Sequence, residues 1–148
     1  NQQWQKQLTA VDPLLDEYAT TIHFFNKQDY SGTHFITQSM EDFSSLEKFN
    51  LVFCMNAINH VHSMDKAFDV VVGSAQQNSN IVVSIDAHNF SFFKFLFRLI
   101  PGDILHPHQY DLKEYCRFLE SRNCVIEKAI CIKQEFFFNH YVLVARKL

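Results

Sequence analysis

Glycine is scarce in this chain of 148 residues: only Gly32, Gly73 and Gly102 occur, and no two of them are spaced as G-x-G. A glycine-rich turn that cradles a phosphate or cofactor through its backbone therefore has no place in the sequence. Cationic excess is absent as well. Thirteen Lys and Arg stand against sixteen Asp and Glu, a formal charge of −3, and the cations are scattered, so the electrostatic footprint of a nucleic-acid binder is missing. The four cysteines, Cys54, Cys116, Cys124 and Cys131, show no C-x-x-C spacing. Buried free thiols in a reducing cytoplasm are expected. No secretory signal is visible. The chain starts at Asn1 rather than Met, in a polar stretch through Gln7 that reads as the end of a helix, and a fragment is expected.

What is present is phenylalanine, sixteen residues, many of them in the run Phe90 to Ile100. Lys94 and Arg98 interrupt that run, and it is too short to span a bilayer. Phe93, Leu96, Phe97 and Ile100 form one helical stripe, while Phe92, Phe95 and Leu99 form a second, so the segment is apolar nearly all round. A lid, an interface or a contact of residues 90–100 with a membrane surface would each use such a helix. Lys94 and Arg98 either meet an anionic acceptor or lipid headgroup or are simply solvated.

Elements alternate along the chain. Leu8–Val11 reads as a strand, and Asp12-Pro13 opens a helix to about Phe25 in which Leu14, Leu15, Tyr18 and Ile22 recur at helical spacing. Strands come next at 33–38, at 49–55 with the unbroken apolar Leu51-Val52-Phe53, and at 81–85. Between the last two lies a helix from Asp65 to about Ala75, carrying Ala67, Phe68, Val71 and Val72. Asp111, with Glu114 three residues on, predicts a capping box for a helix through Arg122. Residues 125–134 and 137–145 are then a β-hairpin. The pattern predicts one α/β domain over 1–148: a mostly parallel sheet, helices on both faces, and one antiparallel strand near an edge.

In open α/β sheets ligands bind beyond the carboxyl ends of the strands. That rule selects Asp12, residues 38–42, 56–60 and 86–89. Asp12 offers two acceptor oxygens to the vicinal hydroxyls of a ribose, or else caps the helix after it. His60 either takes a proton from a substrate hydroxyl or hydrogen-bonds at a helix start. His106-Pro107-His108 with Asp103 lacks standard ligand intervals, so a structural loop or substrate wall is expected there and no metal.

Three of these segments carry a family resemblance. Leu8-Thr9-Ala10-Val11-Asp12 resembles the second strand, with its ribose-binding acid, of class I S-adenosylmethionine-dependent methyltransferases. Gln38-Ser39-Met40-Glu41-Asp42-Phe43 resembles their adenine-edging loop, and the segment from Phe49 to Val61 resembles their fourth strand and the turn after it. The terminal hairpin is similar to their sixth and seventh strands. The resemblance implies a Rossmann-like sheet and S-adenosylmethionine as cofactor. It places Asp12 on the ribose, Pro13 and Leu14 near the adenine, Ser39, Met40 and Glu41 at the adenine edge, and Asn56 and Ala57 at the methionine end. Ser39 stands where an acid is common, which shifts the adenine contact to the Met40 backbone N–H and Glu41. The family's first strand and glycine loop have no counterpart, and that strand would lie between Leu8–Val11 and Phe49–Met55. At about 4.8 Å per strand, its loss leaves a gap of roughly 10 Å, and the two neighbours either pair directly or stand apart.

The function so implied is methyl transfer to a small-molecule acceptor in the complete protein, with the activity of the chain alone left open. Residues 87–110 would form an acceptor-side cap, with His106 and His108 facing substrate and His60 as general base. A non-catalytic methyltransferase-like interaction module is the alternative, motivated by the absent glycine loop. A different Rossmann-like nucleotide binder is disfavoured by the terminal hairpin. Nucleic acid is not an expected partner, and a cytoplasmic location is expected.

Overall fold

The computed structural model describes residues 7–90, 108 and 110–148. Its contacts divide the chain into two compact units, Asn1–Phe43 and Ser44–Leu148. The Phe-rich segment from Ser91 onward, with Lys94, Arg98 and His106, lies outside the described residues, as does most of the expected cap.

In the first unit β1 (Leu8–Val11) pairs in parallel with β2 (Thr33–Ile36), joined through α1 (Leu15–Thr21). Asp16 and Glu17 in the first turn of α1 complement the positive end of its dipole. The helix stops at Thr21, short of the Phe25 expected from its apolar spacing. Thr20, Thr21 and Ile22 are consecutive β-branched residues, both threonine hydroxyls donate to the Glu17 carbonyl, and Ile22 turns extended at φ −99°. Similarly β2 ends at Ile36, because Gln38 folds back and its Nε2 donates to the Asp42 carbonyl at 2.8 Å. Phe25, Tyr30 and Phe35 pack with ring centroids 5.9–6.2 Å apart, a half-buried aromatic cluster beside the buried Leu15 of α1.

The second unit is built on a four-stranded sheet ordered β3 (Phe49–Cys54), β4 (Ala75–His88), β6 (Phe138–Lys147), β5 (Cys124–Gln134). β3 and β4 are parallel, and β6 runs antiparallel to both β4 and β5. The antiparallel strand is thus one place in from the β5 edge, as its hairpin spacing implied. β4 begins six residues before the expected Ile81. Asn78 adopts a left-handed φ of 61°, and the pairing jumps from Phe49↔Ala75 to Leu51↔Asn80, so residues 75–79 are a bulged lead-in. Gln76 clasps it to β3, its amide bonding Lys48 and Asn50.

Alternation along β4 defines the core. Ile81, Val83, Ile85 and Ala87 are each at most 1% exposed, and Leu143 and Ala145 of β6 join them. On them lie α2 (Met64–Ser74) and α3 (Leu112–Glu120), which meet through stacked rings of Phe68 and Phe118 at 5.0 Å. Among the described residues both helices of this unit therefore share one face, where helices on both faces were expected. The capping box forms as predicted: the Asp111 carboxylate accepts the Glu114 N–H at 3.0 Å and the Glu114 carboxylate accepts the Asp111 N–H at 2.8 Å. Among the described residues no ladder joins the two sheets.

Candidate functional site

Parallel pairing puts the carboxyl ends of β1 and β2 at one end of the first sheet, and with them Asp12 and the segment Ser39–Glu41. Asp12 Oδ1 accepts the Leu14 N–H at 2.7 Å, so the carboxylate does cap the turn into α1. Its Oδ2 takes no hydrogen bond among the described residues, and a carboxylate has lone pairs to spare. Pro13 and Leu14 are exposed beside it. Ser39 opens a one-turn 3-10 helix, Met40–Asp42, and its hydroxyl donates to Asp42 Oδ2 at 2.8 Å. Met40 and Glu41 are half-buried on that turn.

In the second unit the carboxyl ends of β3, β4 and β5 and the amino end of β6 form a single rim. Asn56 lies just after β3 in a left-handed conformation, φ 51°, which an asparagine tolerates better than most residues. Its N–H donates to the Ser84 hydroxyl on β4 at 2.6 Å. Ala57 then leads into a 3-10 turn, Ile58–His60, with Ile58 and Asn59 buried and His60 exposed at its end. Two more bonds fix this segment. The buried Tyr115 hydroxyl donates to Asn59 Oδ1 at 3.0 Å, and His108 Nε2 donates to the Val61 carbonyl at 2.6 Å. His108 is thereby committed on one edge to holding the turn. Cys54, last in β3, is not a nucleophile: burial pushes its thiol up to about 12, against a smaller opposing bond from the Ile58 backbone.

The rim's densest chemistry lies across the β4–β6 ladder. Asp86 and His140 are register partners, and the Asp86 carboxylate accepts from His140 Nδ1. His140 Nε2 lies 3.5 Å from Glu135 Oε2, and the other Glu135 oxygen is bound by Lys133. That ammonium, with a smaller contribution from His140, holds the Glu135 carboxyl below its ordinary range. Beside the cluster opens a cleft of about 560 Å³, lined by residues of the β4 end, the β5–β6 turn, β6 and Leu112.

The rim thus gathers Asn56, Ala57, His60 and Asp86, all at predicted strand ends. His140 and Glu135 were not foreseen. Their meeting with Asp86 depends on antiparallel register, which nothing in the linear pattern prints; an acid closing one strand and a histidine opening the last were the only signals.

No protein-family model matches the sequence, and no curated protein matches it. Solved structures do match. A Bacillus halodurans protein assigned to the methyltransferases aligns with a TM-score of 0.78 at 13% identity, over 96% of this chain and 83% of its own. The fold is that of the class I S-adenosylmethionine-dependent methyltransferases. The N-methyltransferase NodS of Bradyrhizobium japonicum, solved with S-adenosylhomocysteine, gives a TM-score of 0.67 at 12% identity over 95% of this chain. Burkholderia thailandensis 1,6-didemethyltoxoflavin-N1-methyltransferase, solved with its substrate and S-adenosylhomocysteine, gives 0.69 at 14% over 95%. The chain spans 66% and 61% of the length of these two.

Proposed function

We infer that the complete protein transfers a methyl group from S-adenosylmethionine to a small-molecule acceptor. The observation that carries the reading is the structural likeness, over nearly the whole chain, to methyltransferases solved with S-adenosylhomocysteine. When bound, the cofactor supplies an electrophilic methyl group on a sulfonium. The residues fit parts of it. Asp12, with Oδ2 uncommitted among the described residues, suits a ribose hydroxyl, and Ser39, Met40 and Glu41 suit the adenine edge. In the second unit, Asn56 and Ala57 are proposed for the methionine end.

Displacement of a sulfonium methyl by an acceptor atom would need the two held in line. Protein groups contribute chiefly by positioning and by receiving the acceptor's proton. His60 and His140 both stand on the rim. His140 is held at Nδ1 by Asp86 with its Nε2 buried near Glu135, so the exposed His60 remains the proposed general base.

Calorimetric titration of the complete protein with S-adenosylhomocysteine tests the reading. Binding is expected, weakened about tenfold by Asp12→Ala through loss of a charge-assisted hydrogen bond. Absence of binding to either cofactor form would sink it and leave a non-catalytic interaction module.

A further inference from the structure

The turn after β3 is tied down largely by side chains. The parallel ladder of β3 with β4 ends at Cys54↔Val83, and there a hydroxyl takes over from the backbone: the Asn56 N–H donates to Ser84 Oγ at 2.6 Å. Further along, the Ile58 N–H meets the Cys54 sulfur and the Tyr115 hydroxyl holds Asn59. Ser84 is well placed for this work. It stands opposite Val142 in the β4–β6 ladder, so its hydroxyl is mounted on a strand paired on both edges.

What Ser84 holds is an unfavourable conformation. At a φ of 51° Asn56 lies in the left-handed region, where a residue with a Cβ is crowded against its own backbone and stays only if its surroundings fix it. The hold is on the backbone alone. The Asn56 side chain is exposed and its carboxamide takes no hydrogen bond among the described residues, although it offers one acceptor oxygen and two donor protons. Strain kept at an exposed polar residue by a bond from the neighbouring strand buries nothing; it presents a side chain. We propose that Ser84 is a positioning residue, whose hydroxyl keeps Asn56 in the left-handed form that offers its carboxamide to a ligand at the rim. That this ligand is the methionine end of S-adenosylmethionine rests on the function inferred above. A carboxamide suits an amino-acid end, with Oδ1 accepting from the ammonium and Nδ2 donating to the carboxylate.

Ser84→Thr and Ser84→Val supply side chains of one shape that differ in the hydroxyl, both suited to a strand, and Ser84→Ala repeats the loss without added bulk. Amide exchange followed by NMR in the isotope-labelled full chain reads the hold directly. With Ser84→Val or Ser84→Ala the Asn56 amide should exchange at least about fivefold faster, the worth of one hydrogen bond, while the amides of the β4–β6 ladder are unchanged and Ser84→Thr keeps the original rate. Calorimetric titration of the complete protein with S-adenosylhomocysteine reads the consequence. Ser84→Val should weaken binding about fivefold and Ser84→Thr should preserve it. In an Asn56→Ala background Ser84→Val should weaken binding no further, because the carboxamide that Ser84 positions is gone. A purely structural role would weaken binding equally in both backgrounds. An Asn56 amide that exchanges alike in all these variants, or a Ser84→Val effect undiminished by Asn56→Ala, would overturn the proposal. Failure of the unsubstituted protein to bind S-adenosylhomocysteine would overturn the cofactor reading instead, and the exchange rates would still decide whether Ser84 holds Asn56.

Discussion

Tyr115→Phe removes one oxygen from a site where nothing can replace it. Tyr115 is 0% exposed, Asn59 is 3% exposed, and the hydroxyl between them donates at 3.0 Å. Phe fills the same volume, so packing is almost conserved. The cost has two parts: the net worth of a buried hydrogen bond, about 1 kcal/mol, and the stranding of Asn59 Oδ1 away from water, bringing the total to about 2 kcal/mol. In a protein of this size each kcal/mol lowers the midpoint by about 2–4 °C, so thermal denaturation followed by circular dichroism should show a fall of about 4–8 °C. Asn59→Leu in the same background removes the stranded acceptor, and the double variant should recover part of the loss, giving a coupling measurable by a double-mutant cycle. A fall of less than about 1 °C for Tyr115→Phe would refute the claim that this bond anchors the turn after β3.

Alkali should destabilise the fold in a stated direction. Burial first, then the charges of Asp86, Tyr110 and Glu114, raises the Tyr115 phenol above its ordinary value, and burial raises the Cys54 thiol from 9.0 to about 12. Both folded values exceed the unfolded ones, so their contribution is complete below about pH 9 and is lost as pH rises towards 12. Urea midpoints should decline across that window, less steeply for Cys54→Ala relative to its own value at pH 8; a flat profile contradicts this. Alkylation with iodoacetamide at pH 8, read by mass spectrometry, should modify exposed Cys131 well before Cys54, and the reverse order contradicts their burial. Asp111→Ala removes the carboxylate that accepts the Glu114 N–H while keeping the backbone N–H that Glu114 caps, and should cost about 1 kcal/mol by urea unfolding, whereas Asp111→Asn should retain most of it. An unchanged midpoint for the alanine variant would rule out the cap as a contributor.

Elements were legible in the sequence where local chemistry suffices. Asp111 and Glu114 announce a helix start because both bonds of the box are made within four residues. Phe49–Cys54 reads as a strand because its apolar run is too short for a helix and rich in residues that suit a pleated surface. Ends were less legible. The stop at Thr21 depends on hydroxyls competing for the Glu17 carbonyl, and the early start of β4 depends on a left-handed Asn78 and a clasp from Gln76, neither of which alters hydrophobic periodicity. For the site, the rule that ligands gather at strand ends reached Asp12, Asn56 and Asp86, each beside its own strand. It could not reach the Asp86–His140–Glu135 cluster, since Asp86 and His140 are far apart in the chain and meet only once register is set.

The position of β6 between β4 and β5 has a consequence for how the sheet is assembled. β5 is synthesised before β6 yet has no ladder of its own to β4; its link to the sheet runs through a strand that emerges later. Until Phe138–Lys147 is available, β4 and β5 each present an open edge of unpaired backbone groups, a template for pairing with another chain. Docking of β6 closes two ladders at once and brings the Lys147 ammonium onto the Val72 and Ala75 carbonyls where α2 ends. Loss of that strand would therefore do more than shorten the sheet: it would detach β5 and leave sticky edges on both strands that the native fold keeps paired.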